Sequence, residues 1–421
     1  MINTIAENKN RLVVNFMSLS FQQGITILFP LLILPYLLRV LGISGFGVYT
    51  LIQTGIQYFD LLITFGFGLT ATHRIAKAGN DTALQKNIIE SVYGIKIMLF
   101  AASLAAILIC SLFIPYLQHN ILIVLASAVY LAGNLLFPDW FFQGIQQMKN
   151  CTLVTFISRL LSFILIIAWV KQPGDIDKAF FALATGNVLA GFTGLLLLLR
   201  KIKISFRIPG KAFMLEMFKE SGYVFISIIL VPLYSTINIF ILQLFANPFV
   251  VGCYSIAQKI FQAASMVTNV VNNTFFPYLS KLYLESVTEY KKRLNSLLLL
   301  LGAGFFIAAV IQFFGASFII ELLAGKNKAE DSTYAVTLLK ITSFALLFTP
   351  FVSFFFQQMI LQGQEKQSIK NIVITVIVNL LCATLLGYYS GGEGMAVNTG
   401  LITALIAGLN GYSVYKKLRS I

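Results

Sequence analysis

Along this chain, apolar residues gather in long runs rather than alternating singly with polar ones. Twelve such stretches can be drawn, at roughly 13–38, 44–70, 89–113, 121–144, 152–170, 177–199, 221–245, 250–279, 295–320, 334–360, 369–389 and 394–415. Most approach the ~20 residues that an α-helix needs to cross ~30 Å of hydrocarbon. The period-two alternation of a membrane barrel is absent, so helices are the spanning element that the pattern predicts. The polar opening MINTIAENKNR leads into an apolar run too long for a signal-peptide core. No small-residue cleavage site follows, so this segment is expected to be retained.

A short motif occurs twice. GVYTLIQ (Gly47–Gln53) opens the second stretch and GCYSIAQ (Gly252–Gln258) opens the eighth. Gln143-Gly144 at the end of the fourth stretch is echoed by Gln362-Gly363 at the end of the tenth. Both echoes fall at corresponding places in a scheme of helices 1–6 and 7–12. Six is an even number, so both halves insert the same way up. A pseudo-two-fold axis along the membrane normal is then expected to relate them, with a cleft between. The organisation is an N-terminal bundle (1–200), a cytoplasmic linker (201–220) and a C-terminal bundle (221–421). The linker is broken at Pro209-Gly210, after which Phe213, Met214, Met217 and Phe218 share one helical stripe. That pattern fits a short helix in the membrane interface, beside anionic lipid heads, or a plain connector.

Composition agrees with a membrane chain. The sequence is 58% hydrophobic and 11% charged, with a mean hydropathy of +0.84, whereas soluble domains are about 45–50% apolar and about 25% charged. A net charge of +14 would suggest a nucleic-acid partner in a soluble protein, but here the position of the charge explains it. With the N-terminus inside, cytoplasmic segments hold 21 of the 30 Lys and Arg residues, including Arg74, Lys77, Arg200, Lys201 and Lys291–Arg293, and outer loops hold five. This is the positive-inside bias, and it sets both termini in the cytoplasm. Nucleic acid is excluded as a partner.

The sequence carries no catalytic signature. It has no GxxxxGK[ST] loop to cradle ATP phosphates, no GxSxG and no HExxH. Its two histidines, His73 and His119, lie far apart, and Cys110, Cys151, Cys253 and Cys382 show no ligand spacing. They read as packing residues. No catalytic residue, metal or cofactor is expected.

Charge inside the spans is the remaining chemistry. Asp60, Lys96, Asp139, Arg159, Lys259 and Lys340 all fall within apolar stretches. Each would cost at least ~2.5–3.5 kcal/mol near the bilayer centre, so such residues face a bundle interior or a hydrated cavity. Asp60 is too short to reach either surface. Asp139 and Arg159 flank one turn at similar depth, which allows a hairpin-locking pair if their faces agree. Lys96 is placed to snorkel or to reach Asp60, and Lys340 to snorkel. The surplus of positive charge favours an anionic substrate, with phosphate suited to Arg and Lys donors. Gln22, Gln23, Asn134, Asn238, Gln262, Asn269, Asn272 and Asn273 offer groups for sugar hydroxyls or for joining helices. Pro30 and Pro35 are expected to bend helix 1 at a gating or kink position.

The runs LPYLLRVLGISGFGVYT (Leu34–Thr50) and FPDWFFQGIQQMKN (Phe137–Asn150), the twelve spans and the doubled Gly-x-Tyr opening resemble the polysaccharide-transport branch of the MOP flippase superfamily. Within that branch the chain specifically resembles the Wzx-type O-antigen flippases. The resemblance implies an all-α bacterial inner-membrane protein with a MATE-like V of two six-helix bundles. It implies translocation of undecaprenyl-pyrophosphate-linked oligosaccharide repeat units to the periplasmic leaflet by alternating access, without an ATPase. It further implies Arg159, Lys96 and Lys259 as cavity cations for the substrate. Coupling to H+ or Na+ is expected through Asp60. A polysaccharide polymerase and a chain-length regulator are expected partners. A multidrug exporter of the same superfamily would instead favour acidic cavity residues, and a membrane polymerase would need a large outer loop, which is absent here.

Overall fold

The structure, a computed structural model, describes residues 2–202, 210–325 and 329–420, with the side chains of 2–16, 19–20, 23, 26–27, 269–270, 273 and 329–331 outside the described set. Gln23, Asn269, Asn273, and Pro209 of the linker therefore lie outside the described side chains.

Every regular element among the described residues is a helix. The chain opens with α1 (Ile2–Thr64) and continues through α2 (Phe67–Ala78), α3 (Thr82–Phe113), α4 (Pro115–Gln118), α5 (Ile121–Leu136) and α6 (Asp139–Gly144). It goes on through α7 (Met148–Trp169), α8 (Ile176–Lys201), α9 (Lys211–Ser235), α10 (Asn238–Phe245) and α11 (Pro248–Glu285). The last four are α12 (Val287–Ala324), α13 (Ala329–Leu346), α14 (Thr349–Leu361) and α15 (Glu365–Arg419).

Eight helical segments among the described residues are long and apolar enough to cross a membrane, or nine if α9 and α10, bent by 43°, count as one span. Twelve were predicted, and the difference has physical causes. Leu28–Ala78 and Glu365–Arg419 run for 51 and 55 residues, each more than twice the ~20 needed for one crossing. The first contains two glycines with positive φ, Gly42 (φ 73°) and Gly66 (φ 78°), and the second one, Gly391 (φ 52°), a conformation that glycine adopts without Cβ strain. The break in α1 thus falls at Gly42, while Pro30 and Pro35 stay inside continuous helix. The polar positions of α11, among them Gln258, Lys259 and Gln262, keep its hydropathy below that of a simple span.

The chain divides into two compact units. The first comprises Met1–Leu41 and Ile52–Ile229, and the second Gly42–Leu51 and Leu230–Ile421.

In the first unit, Phe65, Phe67, Trp140, Phe141, Phe142, Met148 and Met217 form a buried core that joins α2, α3, α6 and the start of α9. Here the stripe predicted for the linker finds its place. Met217 is buried, Phe213 and Met214 pack against the same core, and Phe218 stacks on Phe65 at 4.8 Å. The stripe thus forms the first turns of α9 and packs on protein. Arg74 of α2 clasps this stretch, donating to Glu216 at 2.6 Å and to Glu220 at 2.8 Å, with its guanidinium 5.4 Å from the Phe213 ring centre. Close helix contacts elsewhere depend on small residues, as is usual where backbones must approach in a membrane. A Cβ on Gly133 of α5 would stand 2.7 Å from the Val188 nitrogen of α8, and one on Gly191 would meet the Gly133 carbonyl.

In the second unit, Tyr290, Leu294, Phe354, Phe355, Met359 and Val414 form one core cluster. Buried amides tie its helices together. Asn398 donates to Asn379 at 2.8 Å, and Asn379 to Asn238 at 3.0 Å. Asn272 likewise donates to Ser353 at 2.7 Å. Asn238 and Asn272 therefore join helices. Large apolar side chains such as Phe113, Phe314 and Tyr389 are more than three-quarters exposed, an exterior suited to lipid rather than water.

Candidate functional site

Four of the six intramembrane charges come together in the first unit. Asp60 comes from α1, Lys96 from α3, Asp139 from the first residue of α6 and Arg159 from α7. Helix α5 lies among them, packed on α3 and α8, and α8 packs in turn on α7.

Lys96 is 2% exposed. Its ammonium donates to the backbone carbonyl of Asn134 at 2.9 Å, with that of Phe137 at 3.5 Å. One turn earlier on α3, the Tyr93 hydroxyl donates to the Leu136 carbonyl at 2.9 Å. The last carbonyls of a helix lack partners within it and sit at the negative end of its dipole. Tyr93 and Lys96 therefore close the C-terminus of α5. The expectation that Lys96 would snorkel or bond to Asp60 is corrected accordingly: its donors go to main-chain oxygens.

Asp60, partly buried, accepts a hydrogen bond from the Asn134 side-chain amide. The charges of Lys96, Arg159 and Asp139 all act on it. Asp139 accepts from the Trp140 backbone N–H at 2.8 Å, and Lys96 is the cation that acts on it. Arg159, also partly buried, stands beside the Tyr130 hydroxyl, as does Asn187.

Among the described residues, none of these four charges forms an ion pair within 4.0 Å. The hairpin lock between Asp139 and Arg159 is thus not formed. The faces of α6 and α7 direct Arg159 toward Tyr130 and Asp60, and Asp139 toward Lys96. What the helices assemble is a cluster of charges outside ion-pair distance of one another, braced by neutral donors and acceptors of α5. Such a site can bind an anion without first breaking a buried salt bridge.

Sequence reasoning found the charges and Asn134 but missed Tyr130, Tyr93 and Asn187. Tyr130 was within reach, since it precedes Asn134 by one turn and so shares its face. Lys259 of α11 and Lys340 of α13 belong to the second unit. Lys259 is partly buried. Lys340 lies over the Phe313 ring, 5.8 Å from its centre, so an aromatic face receives its charge.

The fold is that of a multi-pass membrane protein, with several helices long and apolar enough to cross a bilayer. The chain is similar to solved structures of the inward-closed lipid II flippase MurJ (TM-score 0.69, 16% identity, 97% of this chain and 89% of that one) and of an inward-facing multidrug MATE transporter (0.65, 14%, 92% and 97%). A MOP superfamily transporter from Pyrococcus furiosus, described as having a binding pocket of reversed polarity, is similar as well (0.65, 13%, 98% and 96%). At these identities the likeness concerns the fold. Two curated relatives are described as O-antigen transporters. One, from Shigella dysenteriae, is 30% identical and covers 93% of this chain and 97% of its own. The other, from Escherichia coli, is 29% identical over 89% of each. Residues 12–283 match the family described as polysaccharide biosynthesis protein. The chain belongs to that family.

Proposed function

We propose that this protein is a flippase that carries undecaprenyl-pyrophosphate-linked oligosaccharide repeat units from the cytoplasmic to the periplasmic leaflet of the bacterial inner membrane, by alternating access. The observation that carries this reading is the unpaired charge around Arg159. A guanidinium beside Tyr130, with no carboxylate within 4.0 Å among the described residues, is suited to bidentate binding of a phosphate. In the first unit Arg159 makes the direct contact and Lys96 adds positive charge to the same cluster; in the second unit Lys259 is the substrate-binding cation. Asp60 carries the exchangeable H+ or Na+ that resets the cycle. The O-antigen transporter relatives support the substrate class.

We further infer twelve crossings in two six-helix bundles (1–200 and 221–421, joined by 201–220), with both termini cytoplasmic. Each of the two overlong segments then crosses twice, α9 with α10 crosses once, and α11 crosses despite its polar positions. The polyprenyl tail remains in lipid while the head, too hydrophilic for hydrocarbon, passes through the protein. Gly42 breaks α1, and Pro30 and Pro35, inside the continuous helix before it, mark the part of α1 that moves in gating. A polymerase and a chain-length regulator act on the product.

The test is lipid extraction from cells lacking the gene, followed by mass spectrometry and a leaflet-accessibility assay. Accumulation of pyrophosphate-linked repeat units on the cytoplasmic face, cleared by plasmid-borne protein, is the expected result. Units that still reach the periplasm, with a change in drug tolerance alone, would replace this reading with that of a multidrug exporter.

A further inference from the structure

We infer that Asn134 is a positioning residue for Arg159: by holding Asp60, it keeps that carboxylate from pairing with the guanidinium and so leaves Arg159 to an anionic ligand. The inference rests on the transport reading above and deepens it.

The starting observation is a set of opposite charges that stay apart. Asp60 lies within electrostatic range of both Lys96 and Arg159, yet no ion pair within 4.0 Å joins it to either. In a medium of low dielectric the attraction between such charges is far stronger than in water. Something must hold them apart, and α5 supplies it at two successive turns. The Asn134 side chain donates to Asp60, while its backbone carbonyl receives Lys96 at 2.9 Å. One turn earlier, Tyr130 stands beside Arg159. Each charge is thus met by a neutral group of α5.

Helix α5 is itself fixed. Gly133, the neighbour of Asn134, sits in backbone contact with α8, with no room for a Cβ. Tyr93 closes the end of the helix through the Leu136 carbonyl. Asn134 therefore cannot drift from Asp60 without unpacking two helix interfaces.

Without the Asn134 amide, Asp60 loses its donor. A buried carboxylate left unsatisfied turns to the nearest cation, and an anionic ligand must then break that pair to bind. The chemistry recognised is a phosphate or pyrophosphate ester. In this role Asn134 keeps the binding site from neutralising itself.

The full-length protein in lipid nanodiscs, titrated with farnesyl pyrophosphate, tests this. Asn134→Leu is expected to weaken binding about tenfold relative to wild type, a change of about 1.4 kcal/mol. Asp60→Asn in the same chain removes the competing charge, so the double variant is expected to bind within about twofold of Asp60→Asn alone. A merely structural role for Asn134 would not be relieved by a change at Asp60. Unchanged binding by Asn134→Leu, or no recovery in the double variant, overturns the inference. Should Asn134→Leu fail to fold, Asp60→Asn by itself decides. Affinity equal to or tighter than wild type supports the inference, and weaker affinity overturns it. Wild-type protein that does not bind the probe overturns the anion-binding reading and this inference together. Wild-type binding without recovery overturns this inference alone.

Discussion

Gly47 and Gly252 meet backbone to backbone in the second unit. A Cβ on Gly47 would stand 2.7 Å from the Gly252 nitrogen and would run into the Pro248 carbonyl, and one on Gly252 would run into the Ile43 carbonyl. These are the first residues of the motif that the sequence writes twice, so the repeated heptapeptides pack against each other. Their tyrosines are both buried, Tyr49 stacked on Phe46 and Tyr254 bonded to Thr399 at 3.0 Å. The contact accounts for Gly42–Leu51 belonging with the second unit although its flanks belong with the first.

Substitution at that seam should therefore be costly. Gly47→Leu or Gly252→Leu forces backbone apart, and overpacking of this kind costs about 1–3 kcal/mol or more. Gly408, which has nothing within 4 Å of an added Cβ, should accept leucine with little change. Thermal unfolding of the three variants in detergent checks the contrast, and equal melting temperatures would refute it.

At Arg159 the expected outcome is loss of transport without loss of protein. Arg159→Glu should abolish delivery of repeat units while the amount in the membrane stays at the wild-type level. Because Asp139 and Arg159 are not paired, the exchange Asp139→Arg with Arg159→Asp should not restore function. Quantitative immunoblotting beside a surface-polysaccharide assay reads both quantities. Restoration by the exchange would establish the hairpin lock.

The amide chain of the second unit gives a stability prediction. Asn379→Leu leaves the Asn238 oxygen and an Asn398 amide proton without their bonds. All three residues are at most 2% exposed, so water cannot replace what is lost, and the expected cost is about 1–3 kcal/mol. Thr384→Val removes only an exposed bond to Leu380 and should change stability by less than about 0.5 kcal/mol. Pulse proteolysis of the two variants should separate them clearly.

A pH dependence is expected at the turn before α8. Asp175 accepts from Lys178 at 2.7 Å and from the Lys171 and Gln172 backbone N–H groups at 2.8 and 2.9 Å. These donors hold its carboxyl below the usual carboxylate range. A lowered folded-state value stabilises the turn above the ordinary carboxylate pKa of about 4, and the contribution fades as pH falls through the folded value. Wild type should therefore exceed Asp175→Asn in stability near neutral pH and converge with it in acid. A gap that widens in acid would contradict the sign.

Much of this molecule was legible in its sequence. The division of the overlong helices into twelve spans could not be matched one to one. That the chain is helical, the places where charge enters the helices, the doubled motif and the family could all be read from the chain. The reason is the solvent: in hydrocarbon every backbone polar group must be satisfied within its own segment, so length and hydropathy alone dictate helices. The partner of each charge was not legible. A helix that is apolar on every side carries no periodic signal for which face turns inward, so a span can be located without knowing its rotation. That rotation sends Lys96 to the carbonyls at the end of α5, Asp60 to Asn134, and Arg159 to Tyr130 rather than to Asp139. Close packing at glycines such as Gly133 and Gly191 sets those rotations, and such contacts exist only once the helices are assembled.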